Sequence, residues 1–109
     1  DIPTLIFDEI DTGVSGSAAK KIGIKLHQIS EMRQVICVTH LAQIAAMADN
    51  HLLIEKKVVN DRTLTVVKPL SFDGRKAEIA RIIGGENPSD IMLKNAEELL
   101  NYRMELKKR

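Results

Sequence analysis

The stretch TLIFDEIDTGVSG, residues 4–16, decides how this chain is read. Thr4, Leu5, Ile6 and Phe7 form a short apolar run of the kind that becomes a buried strand. Asp8 and Glu9 close that run, and Asp11 follows before a segment of Gly and Ser. An isolated Asp-Glu pair ordinarily sits in a solvated loop. Here an apolar strand delivers the pair to its C-terminal end. From Ser17 the apolar period lengthens. Ala18, Ala19, Ile22, Leu26 and Ile29 recur at helical spacing, so a helix is expected to about Met32, with Ser15 or Ser17 as its cap. Gln34 to Thr39 (QVICVT) then reads as a second buried strand. Strand, helix, strand is a βαβ unit, with parallel strands and a right-handed crossover.

His40 stands directly after that second strand. In a parallel sheet the C-terminal strand ends share one edge, the edge at which ligands bind in open α/β folds. Asp8, Glu9 and His40 are therefore expected in one crevice. Their chemistry fits phosphate. An Asp at a strand end can hold Mg²⁺ beside nucleotide phosphates. A Glu just past the strand end can orient and polarise an attacking water. A neighbouring His can donate a hydrogen bond to the same phosphate.

The rest of the chain supplies support. Leu41 to Ala48 reads as a short helix with Leu41, Ile44, Ala45 and Ala48 inward. His51–Val58 and Thr63–Leu70 alternate more and read as an edge hairpin around Val59-Asn60-Asp61-Arg62. Lys56, Lys57 and Arg62 read as charges that guard its edge. Asp73-Gly74 reads as a turn, Arg75–Ile83 as a helix closed by Gly84-Gly85, and Ser89 as the cap of a last helix. Met92, Ala96, Leu99 and Leu100 form that helix's apolar stripe. The expected class is α/β with a mixed sheet.

Composition bounds the alternatives. A chain of 109 residues is one domain or part of one, and buries roughly two-thirds of its unfolded surface. It begins without Met and almost inside a strand, which reads as a piece of a longer protein. Aromatics are 3% with no Trp, which argues against a base-stacking platform for single-stranded nucleic acid. The net charge of +1 is uneven. Residues 1–55 hold 4 Lys/Arg against 7 Asp/Glu, and residues 56–109 hold 12 against 8. Neither half is extreme enough to name a nucleic-acid face. The single Cys37 lies in an apolar run and reads as a core residue; with no partner for a disulfide it fits a reducing compartment. His27 and His51 have no partners at metal-ligand spacing. No stretch reaches the ~20 apolar residues of a membrane span.

Leu5-Ile6-Phe7-Asp8-Glu9 resembles the Walker B motif of ABC-type ATPases. Ile10 to Ser15 resembles their D-loop, and Val38-Thr39-His40 their switch-histidine loop. ABC transporters usually read Asp-Glu-Pro-Thr where this chain has Ile10-Asp11 after the acids. With CVTHLAQIAAMAD and EIARIIGG…LKNAEELL, the pattern resembles the bacterial RecN family of DNA repair proteins, SMC-like ATPases, over essentially all 109 residues.

That resemblance implies the C-terminal lobe of an ABC/SMC-type P-loop NTPase head over residues 1–109. It implies ATP and Mg²⁺ as ligands, with Asp8 on the metal, Glu9 as the catalytic carboxylate and His40 sensing the γ-phosphate. Gly13, Val14 and Ser15 would face a second ATPase head across an ATP-sandwiched dimer; Ser15 stands where the family usually has Asp. The implied activity is ATP hydrolysis in double-strand-break repair and recombination, coupled to holding double-stranded DNA or its ends, in the nucleoid-associated cytoplasm and with no membrane partner. The chain holds no Gly-Lys-Ser/Thr loop, so Walker A is absent, as are the family's Leu-Ser-Gly-Gly signature and its coiled coil. Alone, these residues are expected to be inactive. Two rivals are a non-catalytic structural interaction module and an ABC transporter nucleotide-binding subunit; the intact acids and His40 argue against the first, and Ile10-Asp11 against the second.

Overall fold

The computed structural model describes residues 3–8 and 16–107. Strand β1 (Thr4–Asp8), helix α1 (Gly16–Ser30) and strand β2 (Gln34–Val38) make the expected βαβ unit. The two strands are parallel and adjacent, in register from Thr4↔Gln34 to Asp8↔Val38. Short helix α2 (Ala42–Ala45) leads into the hairpin β3 (Leu52–Val59) and β4 (Arg62–Pro69), and helices α3 (Phe72–Gly84) and α4 (Asp90–Lys107) close the chain.

Two apolar clusters hold this arrangement. Ala19 and Leu26 of α1 meet Ile44 of α2, with Phe7, Val35 and Cys37 of the strands packed on them. Ala42 and Ala46 meet Ile79 and Ala80 of α3 and Ala96 and Leu100 of α4. The four-residue α2 is therefore shared: Ile44 enters one cluster, and Ala42, with Ala46 just past the helix end, the other. Gly23 permits the close approach of α1. A Cβ there would meet Met47 Cγ at 2.9 Å and the Gln43 carbonyl oxygen at 3.1 Å.

Several expectations are corrected. The strands are not buried on both faces. Phe7, Val35 and Cys37 pack toward α1 and α2, with Leu5 on the same face of β1, whereas Ile6 is 70% exposed, Ile36 45% and Val38 44%. A continuous apolar run cannot tell which of its two faces is covered. The α/β class holds, but the described residues form two two-stranded ladders, one parallel and one antiparallel, rather than one mixed sheet. The reason is that α2 carries the chain from the end of β2 toward α3 before the hairpin begins, so β3 and β4 pair only with each other.

The helix at Leu41–Ala48 is shorter than expected, and Ala46 and Met47 replace Ala45 and Ala48 as inward residues. Its end tightens: the Met47 N–H donates to the Ile44 carbonyl and Ala48 to Ala45, three residues back, which rotates the following side chains. The hairpin turn has two residues, not four. Asn60 (φ 51°) and Asp61 (φ 62°) both lie in the left-handed region, the geometry of a type I′ turn. Asp73-Gly74 is no turn. Ser71 Oγ accepts the Gly74 N–H at 3.2 Å and starts α3 three residues earlier than the apolar pattern does. Gly85, at φ 90°, ends α3 as expected, and Ser89 Oγ accepts the Met92 N–H at 3.3 Å at the start of α4. Helix α1 stops at Ser30, leaving Met32 exposed in the turn.

Candidate functional site

Asp8 and Val38 are register partners at the C-terminal ends of the parallel pair, and His40 follows Val38 by two residues. Strand pairing thus places Asp8 and His40 at one sheet edge, and both are exposed there. Alternation along β1 puts Asp8 on the open face with Ile6, while Phe7 between them anchors the strand against α1 and α2. Glu9, Gly13, Val14 and Ser15 lie outside the described residues.

A local device shapes the loop that carries His40. Thr39 Oγ1 accepts the Leu41 N–H at 3.0 Å, which closes a tight turn with His40 at its apex. The Leu41 carbonyl then accepts the N–H groups of Ile44 and Ala45, so α2 grows directly out of the turn. The far end of α2 is held by Arg75. Its Nη2 donates to the carbonyl oxygens of Ala45 and Ala46 at 3.3 Å and of Ala48 at 2.8 Å. The Ala46 and Ala48 carbonyls lie past the last turn of α2, the Ala45 carbonyl also accepts the Ala48 N–H, and a cation at this end meets the negative end of the helix dipole. Arg75 is only 7% exposed. Burial and nearby Arg103 lower its pKa, Asp49 opposes the shift, and an Arg in this range keeps its charge. Asp49 itself pairs with Arg103 of α4.

Sequence reasoning did not single out Arg75. A signal existed: Arg75 lies four and five residues before the buried Ile79 and Ala80, so it falls on the core-facing stripe of α3. A charge on such a stripe demands partners. Lys20, whose ammonium sits 4.4 Å from the Tyr102 ring centroid, is a separate contact between α1 and α4. Among the described residues no group of three or more His, Cys, Asp or Glu side chains gathers as a metal site.

The fold matches that of a solved chain from work on the structural biochemistry of ATP-driven dimerization and DNA-stimulated activation of SMC ATPases. The TM-score is 0.61 at 21% identity, covering 78% of this chain and 50% of that one. The likeness is one of fold: this chain shares the α/β architecture of that chain. No protein-family model matches the chain. Sequence comparison is more particular. The chain is 49% identical over 107 residues to the DNA repair protein RecN of Bacillus subtilis strain 168, covering 98% of this chain and 19% of that protein. It is 46% identical over 100 residues to RecN of Deinococcus radiodurans, covering 92% and 18%. It is 44% identical over 100 residues to RecN of Haemophilus influenzae, with the same coverage of 92% and 18%. The chain is therefore RecN-like along nearly its whole length, and spans about a fifth of the length of the curated relatives it matches.

Proposed function

We propose that this chain is the C-terminal lobe of the ATPase head of a RecN-like DNA repair protein. The single observation that carries the reading is the placement of Asp8 and His40 at one edge of a parallel strand pair, within a sequence similar to RecN over 98% of its length. In this reading Asp8 holds Mg²⁺. An exposed carboxylate at a strand end suits that ion, which keeps several waters and takes its other ligands from nucleotide phosphates. When bound, Mg²⁺ neutralises charge on the β- and γ-phosphates. Glu9 orients the attacking water and accepts its proton. His40, at the apex of its turn, donates a hydrogen bond to the γ-phosphate oxygens as negative charge shifts there. Gly13, Val14 and Ser15 face a second head in an ATP-bound homodimer. Opening and closing of that dimer is coupled to holding double-stranded DNA ends during recombinational repair in the nucleoid-associated cytoplasm. Among the described residues no helix is long and apolar enough to cross a membrane.

The test is ATP hydrolysis by the full-length protein, with and without linear double-stranded DNA, in wild type and Asp8→Asn. The expected result is hydrolysis that rises with DNA and falls by at least about tenfold in Asp8→Asn. The 109 residues alone hydrolyse nothing above background in the same assay, because this chain supplies no Gly-Lys-Ser/Thr phosphate loop. Equal rates in wild type and Asp8→Asn overturn the assignment.

A further inference from the structure

We infer that Arg75 is a positioning residue for His40, acting through α2; this rests on the ATPase reading of the site. The guanidinium is buried against three backbone carbonyls, those of Ala45, Ala46 and Ala48. Every one belongs to α2 or the turn that follows it, and α2 begins two residues after His40. The connection is continuous. Thr39 Oγ1 takes the Leu41 N–H, the Leu41 carbonyl takes the Ile44 and Ala45 N–H groups, and the Ala42 carbonyl takes the Ala46 N–H at 2.9 Å. Arg75 then grips the last of these residues from α3.

A four-residue helix has almost no stability of its own, since nucleation costs more than one or two hydrogen bonds return. Its position is set by what clamps it. On one side Gly23 lets α1 press on Gln43, Ile44 and Met47. On the other, Ala42 and Ala46 sit in the α3–α4 cluster. Arg75 adds the axial restraint that alanine packing lacks, because small, smooth side chains resist sliding poorly, whereas a buried Nη2 whose two N–H groups are shared among three carbonyl oxygens does not. A charged donor is well suited to this place. The carbonyls at a helix C-terminus are acceptors only, and guanidinium is a donor only. The consequence is that the distance and direction from α3 to the His40 turn are fixed by one side chain more than 30 residues away in sequence.

The experiment is a kinetic double-mutant cycle in the full-length protein with Arg75→Lys and His40→Ala, alongside binding of a non-hydrolysable ATP analogue and thermal unfolding of each variant. Lysine keeps the charge, but its ammonium ends about one bond short of the Nη2 position and lacks the planar guanidinium that aims it. Arg75→Lys is expected to lower kcat by about tenfold, with KM and analogue affinity within about twofold of wild type. In the His40→Ala background the same substitution is expected to lower kcat by less than about twofold, because the residue it positions is gone. If Arg75→Lys does not fold, Arg75→Gln, which retains an amide donor, takes its place in the cycle. An equal loss in both backgrounds overturns the inference and makes Arg75 a structural anchor only. So does unchanged kcat in Arg75→Lys when His40→Ala is slow. Wild-type kcat in His40→Ala overturns the ATPase role of His40 itself, and the inference with it.

Discussion

His51 lies half-buried where the chain leaves α2 for β3, and its Nδ1 is buried without a hydrogen-bond partner. Its main chain is better placed, since the His51 carbonyl accepts the Leu70 N–H at 3.0 Å at the root of the hairpin. Burial lowers the imidazole pKa below its ordinary 6.5, Arg75 lowers it further, and Glu78 opposes both. The sign follows from linkage. The folded protein resists the proton that the unfolded chain accepts, so stability is complete above pH 6.5 and declines as pH falls below that value. Urea unfolding is expected to show a lower midpoint at pH about 5.5 than at about 7.5, with a smaller difference in His51→Gln. An identical pH dependence in the two proteins would contradict this placement of His51. Residues of this kind mark the boundary of what the sequence discloses. Asp8 and His40 were legible because each ends an apolar run, and parallel pairing brings such ends together. The role of Arg75 was not, because its partners are carbonyl oxygens, which every residue has and no sequence pattern distinguishes.

At the scale of elements, α2 is the joint of the fold. It gives Ile44 to the cluster under the strands, and Ala42, with the capping Ala46, to the cluster between α3 and α4. Gly23→Ala tests that joint. The added methyl would stand 2.9 Å from Met47 Cγ and 3.1 Å from the Gln43 carbonyl oxygen; the side chain can turn away but the carbonyl cannot. Alanine favours a helix interior by up to about 1 kcal/mol over glycine. Overpacking outweighs that gain, and a net loss of about 1–2 kcal/mol in urea unfolding is expected. A Gly23→Ala protein more stable than wild type would show that α1 and α2 are not in close contact. Elements whose stability is local were read well: the periodic α1, and α4 with its Ser89 cap. Those set by tertiary contact or by turn chemistry shifted. Met47 turned inward because the end of α2 tightens, and Ser71 extended α3 past a Gly that reads as a breaker. Asn60-Asp61 suffices for the turn because Asn and Asp tolerate the left-handed region better than other non-glycine residues.

Across the whole molecule, a βαβ unit, a joint and two helices aim one sheet edge outward. The open face of the parallel pair, with Ile6, Ile36 and Val38, runs up to that edge and ends at Asp8. Apolar runs predicted full burial there, and the two-stranded ladder covers only one face. The hairpin stands apart, with residues 56–65 all exposed, including Lys56, Lys57 and Arg62. If the carboxylates of Asp8 and Glu9 serve hydrolysis rather than folding, a change at Glu9 shows it. The measurement is ATP turnover and ATP binding by the full-length protein carrying Glu9→Gln, an isosteric change that removes only the charge and the proton acceptor. Turnover is expected to fall by at least about 100-fold, with ATP affinity within about twofold of wild type. Turnover at the wild-type rate would overturn the catalytic reading and leave Asp8 and Glu9 as structural carboxylates.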